Sequence, residues 1–214
     1  MIDAKFALVS VWSYGLAGVL AAIVTLYLAS GWQTGGRGRA MCLAAGLSAL
    51  WGVLGLGYAL TGNKIFLSAS LLSDALRYGA WFLFLLVLMK PEGTERDASP
   101  GRYGWLSRIA LLLVAVGIGA QILVGLGLDF VLPSARMALF SSLAMSVFGL
   151  VLIEQLFRNV SPDFRWSIKP LCLGLGAAFL YDLYLYSDAL LFTKVDVDAF
   201  SIRGFAHALG LPLM

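Results

Sequence analysis

Charged side chains are scarce in this chain: 15 Lys and Arg and 12 Asp and Glu make up 13% of its 214 residues, about half the share of an average soluble domain. A water-exposed globule needs more polar surface than 27 such residues supply. Histidine occurs once and cysteine twice, so bis-histidine haem ligation is excluded and a metal centre lacks convergent ligands. The two cysteines, Cys42 and Cys172, stand at the starts of apolar runs and read as small packing residues. The net charge of +3 is spread through short links, with no basic cluster beside aromatics. Nucleic-acid binding therefore has no footprint.

Hydrophobic residues make up 60% of the chain. They fall in six runs near the roughly 20 residues that span a bilayer as a helix: 8–30, 41–60, 66–89, 105–126, 134–157 and 171–192. A seventh begins near Phe200 and reaches Met214. Fifteen residues rise only about 22 Å, short of a hydrocarbon core of roughly 30 Å, so the chain is expected to continue beyond this point. The first run has neither the flanking charge nor the cleavage site of a signal peptide. Stretches such as Trp81-Phe-Leu-Phe-Leu-Leu-Val-Leu88 do not alternate, which argues against a strand barrel. The expected fold is all-α: one transmembrane bundle over residues 1–214, with six full helices and a truncated seventh, embedded in a lipid bilayer.

Basic residues set the expected orientation. The links after runs one, three and five hold nine: Arg37, Arg39, Lys90, Arg96, Arg102, Arg108, Arg158, Arg165 and Lys169. The opposite side holds Lys5, Lys64, Arg136 and Lys194, with Arg203 counted at the mouth of run seven. This bias puts the amino terminus outside and any continuation past Met214 in the cytoplasm. Both cysteines then lie near the cytoplasmic face, where a disulfide is not expected. The longest link, Lys90 to Ser107, is rich in Pro, Gly, Ser and mixed charge and reads as a flexible loop.

Charged residues inside membrane helices are costly and mark either function or a structural pair. Asp74, Arg77, Tyr78 and Trp81 are spaced to share one helical face, which suits an internal ion pair or a binding surface. In run six, Tyr181, Tyr184 and Asp188 share one stripe while Asp182 and Tyr186 lie on another. An interfacial belt accounts for Tyr186 but not for mid-helix Asp182. Asp74, Arg77, Asp188 and Arg203 fall at similar depth in the outer half, so one charge-balanced network of these four is expected. His207 lies one turn beyond Arg203. Glu154 and Arg158, near the inner end, read as a local pair. The candidate sensing or coupling residues are thus Asp74, Arg77, Tyr181, Asp182, Tyr184, Asp188, Arg203 and His207.

No catalytic constellation emerges. Tyr181-Asp182 has the first pairing of an intramembrane aspartyl protease, but Gly125-Leu-Gly-Leu-Asp129 has one residue too many for the second motif and precedes it. Cys172 and His207 belong at different depths, and Gly46-Leu-Ser48-Ala is not a rhomboid-type serine motif. Run seven has no lysine for a retinal Schiff base. Gly52-Val-Leu-Gly55-Leu-Gly57 lacks the strand of a nucleotide-binding loop and suits close helix packing. No cofactor is expected.

Several strings nevertheless point to one family. Val9-Ser-Val-Trp-Ser-Tyr-Gly15, Ser73-Asp-Ala-Leu-Arg-Tyr-Gly-Ala-Trp-Phe-Leu-Phe84, Leu156-Phe-Arg-Asn159 with Arg165-Trp166, and above all Leu171-Cys-Leu-Gly-Leu-Gly176 through Tyr181-Asp-Leu-Tyr-Leu-Tyr-Ser-Asp-Ala-Leu-Leu-Phe192 resemble the amino-terminal membrane region of the PEP-CTERM/exosortase-system sensor histidine kinases (PrsK). The resemblance implies a multi-helix sensor and anchor in a bacterial inner membrane. It also implies cytoplasmic GAF and kinase modules beyond it, a homodimer formed through the kinase, and a response regulator controlling exosortase and exopolysaccharide genes. No phosphoacceptor motif or ATP-binding glycine box is present here, so these residues are not expected to be an enzyme by themselves. The alternative is a small transporter or channel-like bundle with a buried charged pathway.

Overall fold

A computed structural model describes residues 4–31, 35–89, 104–128, 133–160 and 162–211. Among them are seven helices and no strand: α1 (Ala4–Ser30), α2 (Gly36–Thr61), α3 (Lys64–Leu88), α4 (Gly104–Leu126), α5 (Ser134–Asn159), α6 (Pro162–Phe192) and α7 (Val197–Gly210). The first six contain stretches long and apolar enough to cross a membrane, and large apolar side chains such as Trp12, Ile23, Leu111, Leu112 and Leu191 point outward from the bundle. Lipid is the solvent that accepts such a surface.

The expected helices are present, with shifted ends. α6 starts at Pro162 rather than Leu171 and continues through Pro170, whose ring removes one backbone donor without ending the helix. α7 starts at Val197, three residues earlier than expected, because Asp196 caps it by accepting from the Asp198 and Ala199 amides at 2.9 and 3.3 Å. Its helix ends at Gly210, and residues 212–214, which the expected run included, lie outside the described residues, as do residues 90–103 of the expected flexible loop. Between α2 and α3 the turn is tight. Gly62 takes the left-handed conformation (φ 64°) that closes α2, and the Asn63 side chain accepts from the Ile65 amide at 2.9 Å to open α3.

Each helix packs on the next in sequence and α7 returns to α1, closing a ring. α3 also packs on α5. Of its most apolar stretch 61% is buried, against 17% for α4, so α3 is the inner helix and α4 the peripheral one. Aromatic side chains fill the core around α3: Phe82 meets Phe148 edge-on at 5.2 Å, and Tyr78 stacks on Phe179 at 5.4 Å.

Three contacts bring backbones unusually close. A Cβ on Gly52 of α2 would lie 2.6 Å from the Gly18 backbone of α1. One on Gly174 of α6 would lie 2.6 Å from the Gly210 carbonyl oxygen, and one on Gly204 of α7 would lie 2.5 Å from the Ser13 backbone of α1. Such small-residue contacts drive association where water gives no hydrophobic push. Overpacking typically costs about 1–3 kcal/mol, so Gly52→Leu and Gly204→Val are expected to lower the thermal unfolding midpoint of the purified protein, followed by circular dichroism. Gly119→Ala, whose Cβ would meet nothing within 4 Å, should leave the midpoint unchanged or raise it.

Candidate functional site: a buried charge cluster beneath a cavity

Asp74 and Arg77 of α3, Asp182 of α6 and Arg203 and His207 of α7 converge at the centre of the ring, all buried. The α3 pair follows from spacing, since residues three apart on a helix are neighbours: Arg77 Nε and Nη2 both donate to Asp74 Oδ1, at 3.0 and 2.6 Å. Arg203 bridges the two acids. Its Nε donates to Asp182 Oδ1 at 2.6 Å, and its Nη2 donates to Asp182 Oδ2 at 3.0 Å and to Asp74 Oδ2 at 2.7 Å. Two tyrosines complete the acceptor shells: Tyr78 Oη donates to Asp182 Oδ2 at 2.6 Å and Tyr186 Oη to Asp74 Oδ2 at 3.0 Å. The Tyr78 proton goes to the carboxylate, and Ser146 Oγ of α5 lies 2.8 Å from the Tyr78 oxygen and 3.0 Å from the Ser142 carbonyl, with one proton to share between these two acceptors.

His207 closes the circuit between Arg77 and Asp182. Arg77 Nη1 lies 2.8 Å from Nδ1 and has only protons to offer. Nδ1 is therefore the acceptor, and the ring proton sits on Nε2, 3.2 Å from the Asp182 carboxylate. This neutral tautomer, assigned from the hydrogen-bond network, leaves two carboxylates balanced by two guanidiniums. Trp51 of α2 covers the cluster: the Arg77 and Arg203 guanidinium carbons lie 4.3 and 5.1 Å from its ring centre, and the His207 ring meets it edge-on at 5.1 Å.

The expected four-residue network is corrected in one member. Asp182, not Asp188, is the α6 acid. Asp188 is half-buried and makes no ion pair or hydrogen bond with a described residue. Six residues separate the two acids, about one and two-thirds turns, so they face different directions. Tyr186, expected as a belt residue, is buried against Asp74, four residues along the same face as Asp182. Arg203, counted at the helix mouth for orientation, lies inside the cluster, so it says nothing about sidedness. Of the remaining candidates, Tyr181 donates to the Ala199 carbonyl at 2.6 Å, tying α6 to α7, while Tyr184 is exposed on the outer surface. Glu154 and Arg158 form an exposed pair at 3.3 Å.

Sequence reasoning missed Trp51, Ser146 and the α1 contacts, where Ser13 Oγ accepts from the Phe205 amide at 3.0 Å and Tyr14 Oη donates to the Phe200 carbonyl at 3.3 Å. These pairings join helices far apart in the chain, and no spacing rule predicts them. Tyr186 had a usable signal in its distance from Asp182.

Beside the cluster is a cavity of about 500 Å³, within the range of about 300–1,000 Å³ usual for small-molecule sites. It is walled by the beginnings of α1, α3, α5 and α7 and the ends of α2, α4 and α6, and so belongs to the face of the bundle that carries the amino terminus. Tyr186 and Tyr14 stand in its wall. On the other side of Arg77 and His207 a void of about 20 Å³ also touches Ser48, Trp51 and Trp81.

Known protein families, curated proteins and solved structures contain no match to the chain.

Removing one member of a buried pair typically costs about 3–5 kcal/mol. Asp182→Asn and Arg203→Gln are each expected to lower stability by that order in denaturant unfolding of the detergent-solubilised protein, with the double variant losing less than the sum. Asp188→Asn should stay within about 0.5 kcal/mol of the parent. Strict additivity, or an Asp188 effect as large as that of Asp182, would separate these groups.

Proposed function

We propose that this chain is the membrane-embedded sensory and anchoring domain of a two-component sensor histidine kinase, passing a signal through α7 to a cytoplasmic kinase core. The observation that carries the sensory reading is the double placement of α7. Val197 and Phe200 stand in the cavity wall, and Arg203 and His207, one and two turns further, hold the charge cluster. A change of contents in the cavity would press on a helix locked to α3 and α6 by charge, and the two can yield only together. Kinase identity rests on the resemblance of the α3 and α6 strings to the PrsK family. With it go an inner-membrane location, a homodimer and a response-regulator partner.

The alternative, a small transporter or channel, needs its charges to meet cargo. Asp74 accepts four hydrogen bonds and Asp182 four short ones, which occupies the acceptor capacity of a carboxylate and favours the sensory reading.

The coding sequence beyond Met214 tests the kinase assignment. A phosphoacceptor histidine and an ATP-binding core are expected, and a stop codon there overturns the assignment in favour of the bundle acting alone. Orientation gives a second test. With Cys42 and Cys172 replaced by serine, Lys64→Cys should react with a membrane-impermeant maleimide in cells whose outer membrane alone is permeabilised. Arg158→Cys should react only after the inner membrane is opened. The reverse pattern would put α7 on course for the wrong side.

A further inference from the structure

The cavity is distinctive in its chemistry. None of the side chains lining it is charged, and most are Ala, Leu, Val, Gly or Phe. Among them stand four neutral polar residues from four helices: Ser10, Tyr58, Gln121 and Ser142. None of their side chains forms a hydrogen bond with another described residue, in contrast to Tyr14 and Tyr186, whose hydroxyls are already engaged. Unspent donors and acceptors converging on an apolar chamber are what an occupant with a small polar group would satisfy. A charged occupant would enter a wall with no counter-ion and lose its hydration without replacement.

We propose that this cavity binds a neutral amphiphile that partitions into the membrane, an apolar chain or ring system bearing one or two carbonyl or hydroxyl groups, with its polar group held by Gln121, Ser142, Tyr58 and Ser10. Its apolar part lies against Leu67, Leu71, Leu139 and Phe200. Such a molecule touches Tyr186, and through the Tyr186 hydroxyl it adjoins Asp74 and the charge cluster. That this ligand is also the signal rests on the sensory role proposed above; its binding does not.

The test uses the full-length protein in lipid nanodiscs and a decanol carrying a photoreactive diazirine, with the adducts mapped by mass spectrometry. Adducts are expected at Leu67, Leu139 and Phe200. At equal bilayer concentration, unlabelled 1-decanol should suppress them at least tenfold better than decanoate or decyltrimethylammonium. Leu71→Trp fills the chamber and should reduce cavity labelling at least fivefold. Gln121→Leu keeps the volume and removes a polar partner; the loss of one hydrogen bond worth about 1 kcal/mol corresponds to roughly fivefold weaker binding. Labelling confined to lipid-facing residues such as Leu111 and Leu112, unchanged by Leu71→Trp, would overturn the proposal, as would equal competition by the charged amphiphiles. Cavity labelling without any change in kinase output would uphold the binding site and overturn the sensory role instead.

Discussion

Two carboxylates and two guanidiniums at the centre of a ring of apolar helices set the terms for the rest of this molecule. An isolated ion there carries a large desolvation penalty, so every member must find partners, and beyond the Asp74–Arg77 pair within α3 these lie on other helices. Asp74 reaches Arg203, Arg203 reaches Asp182, and Arg77 reaches His207. The three helices that carry these groups, α3, α6 and α7, are thereby held at one relative height. The cluster is also geometrically exacting, because Arg203 engages both acids through a planar fork whose donors point in fixed directions. Replacing it by a flexible cation would not reproduce both contacts.

Placing α7 within this arrangement needs more than charge. At 14 residues it is the shortest helix among the described residues, and it carries Ser201, Arg203 and His207 on its buried side. Close backbone approach supplies its packing, at Gly204 against Ser13 and at Gly210 against Gly174. The Ser13 hydroxyl accepts from the Phe205 amide and the Tyr14 hydroxyl donates to the Phe200 carbonyl, so α1 holds α7 through backbone groups from the outside while α3 and α6 hold it through charge from the inside. The cluster and the cavity adjoin at Tyr186, which stands in the cavity wall and whose hydroxyl donates to Asp74.

Much of this is legible in the sequence. The six long helices follow from apolar runs of bilayer length, the Asp74–Arg77 contact from a spacing of three, and the Glu154–Arg158 pair from a spacing of four. Tight glycine packing in α2 follows from Gly52-Val-Leu-Gly55 in a helical context. Less legible was the choice between Asp182 and Asp188. Depth alone favoured Asp188, because two acids six residues apart differ by only about 9 Å along a helix axis. Their difference in direction around the axis decided the matter, and direction has meaning only once the neighbouring helices are in place.

The boundary between what sequence determines and what tertiary structure decides follows from the range of the interactions. Hydropathy and helical periodicity act within a few residues, so the chain by itself determined its solvent, its long helices and the in-helix pairs. Only the folded ring decided that Trp51 would cover two arginines presented by other helices, and that Tyr186 would turn inward while Tyr184 faces out. It alone brought residues from all seven helices to one uncharged cavity. Those outcomes depend on distances between segments far apart in sequence, just as 129 positions separate Asp74 from Arg203, and no local pattern encodes them.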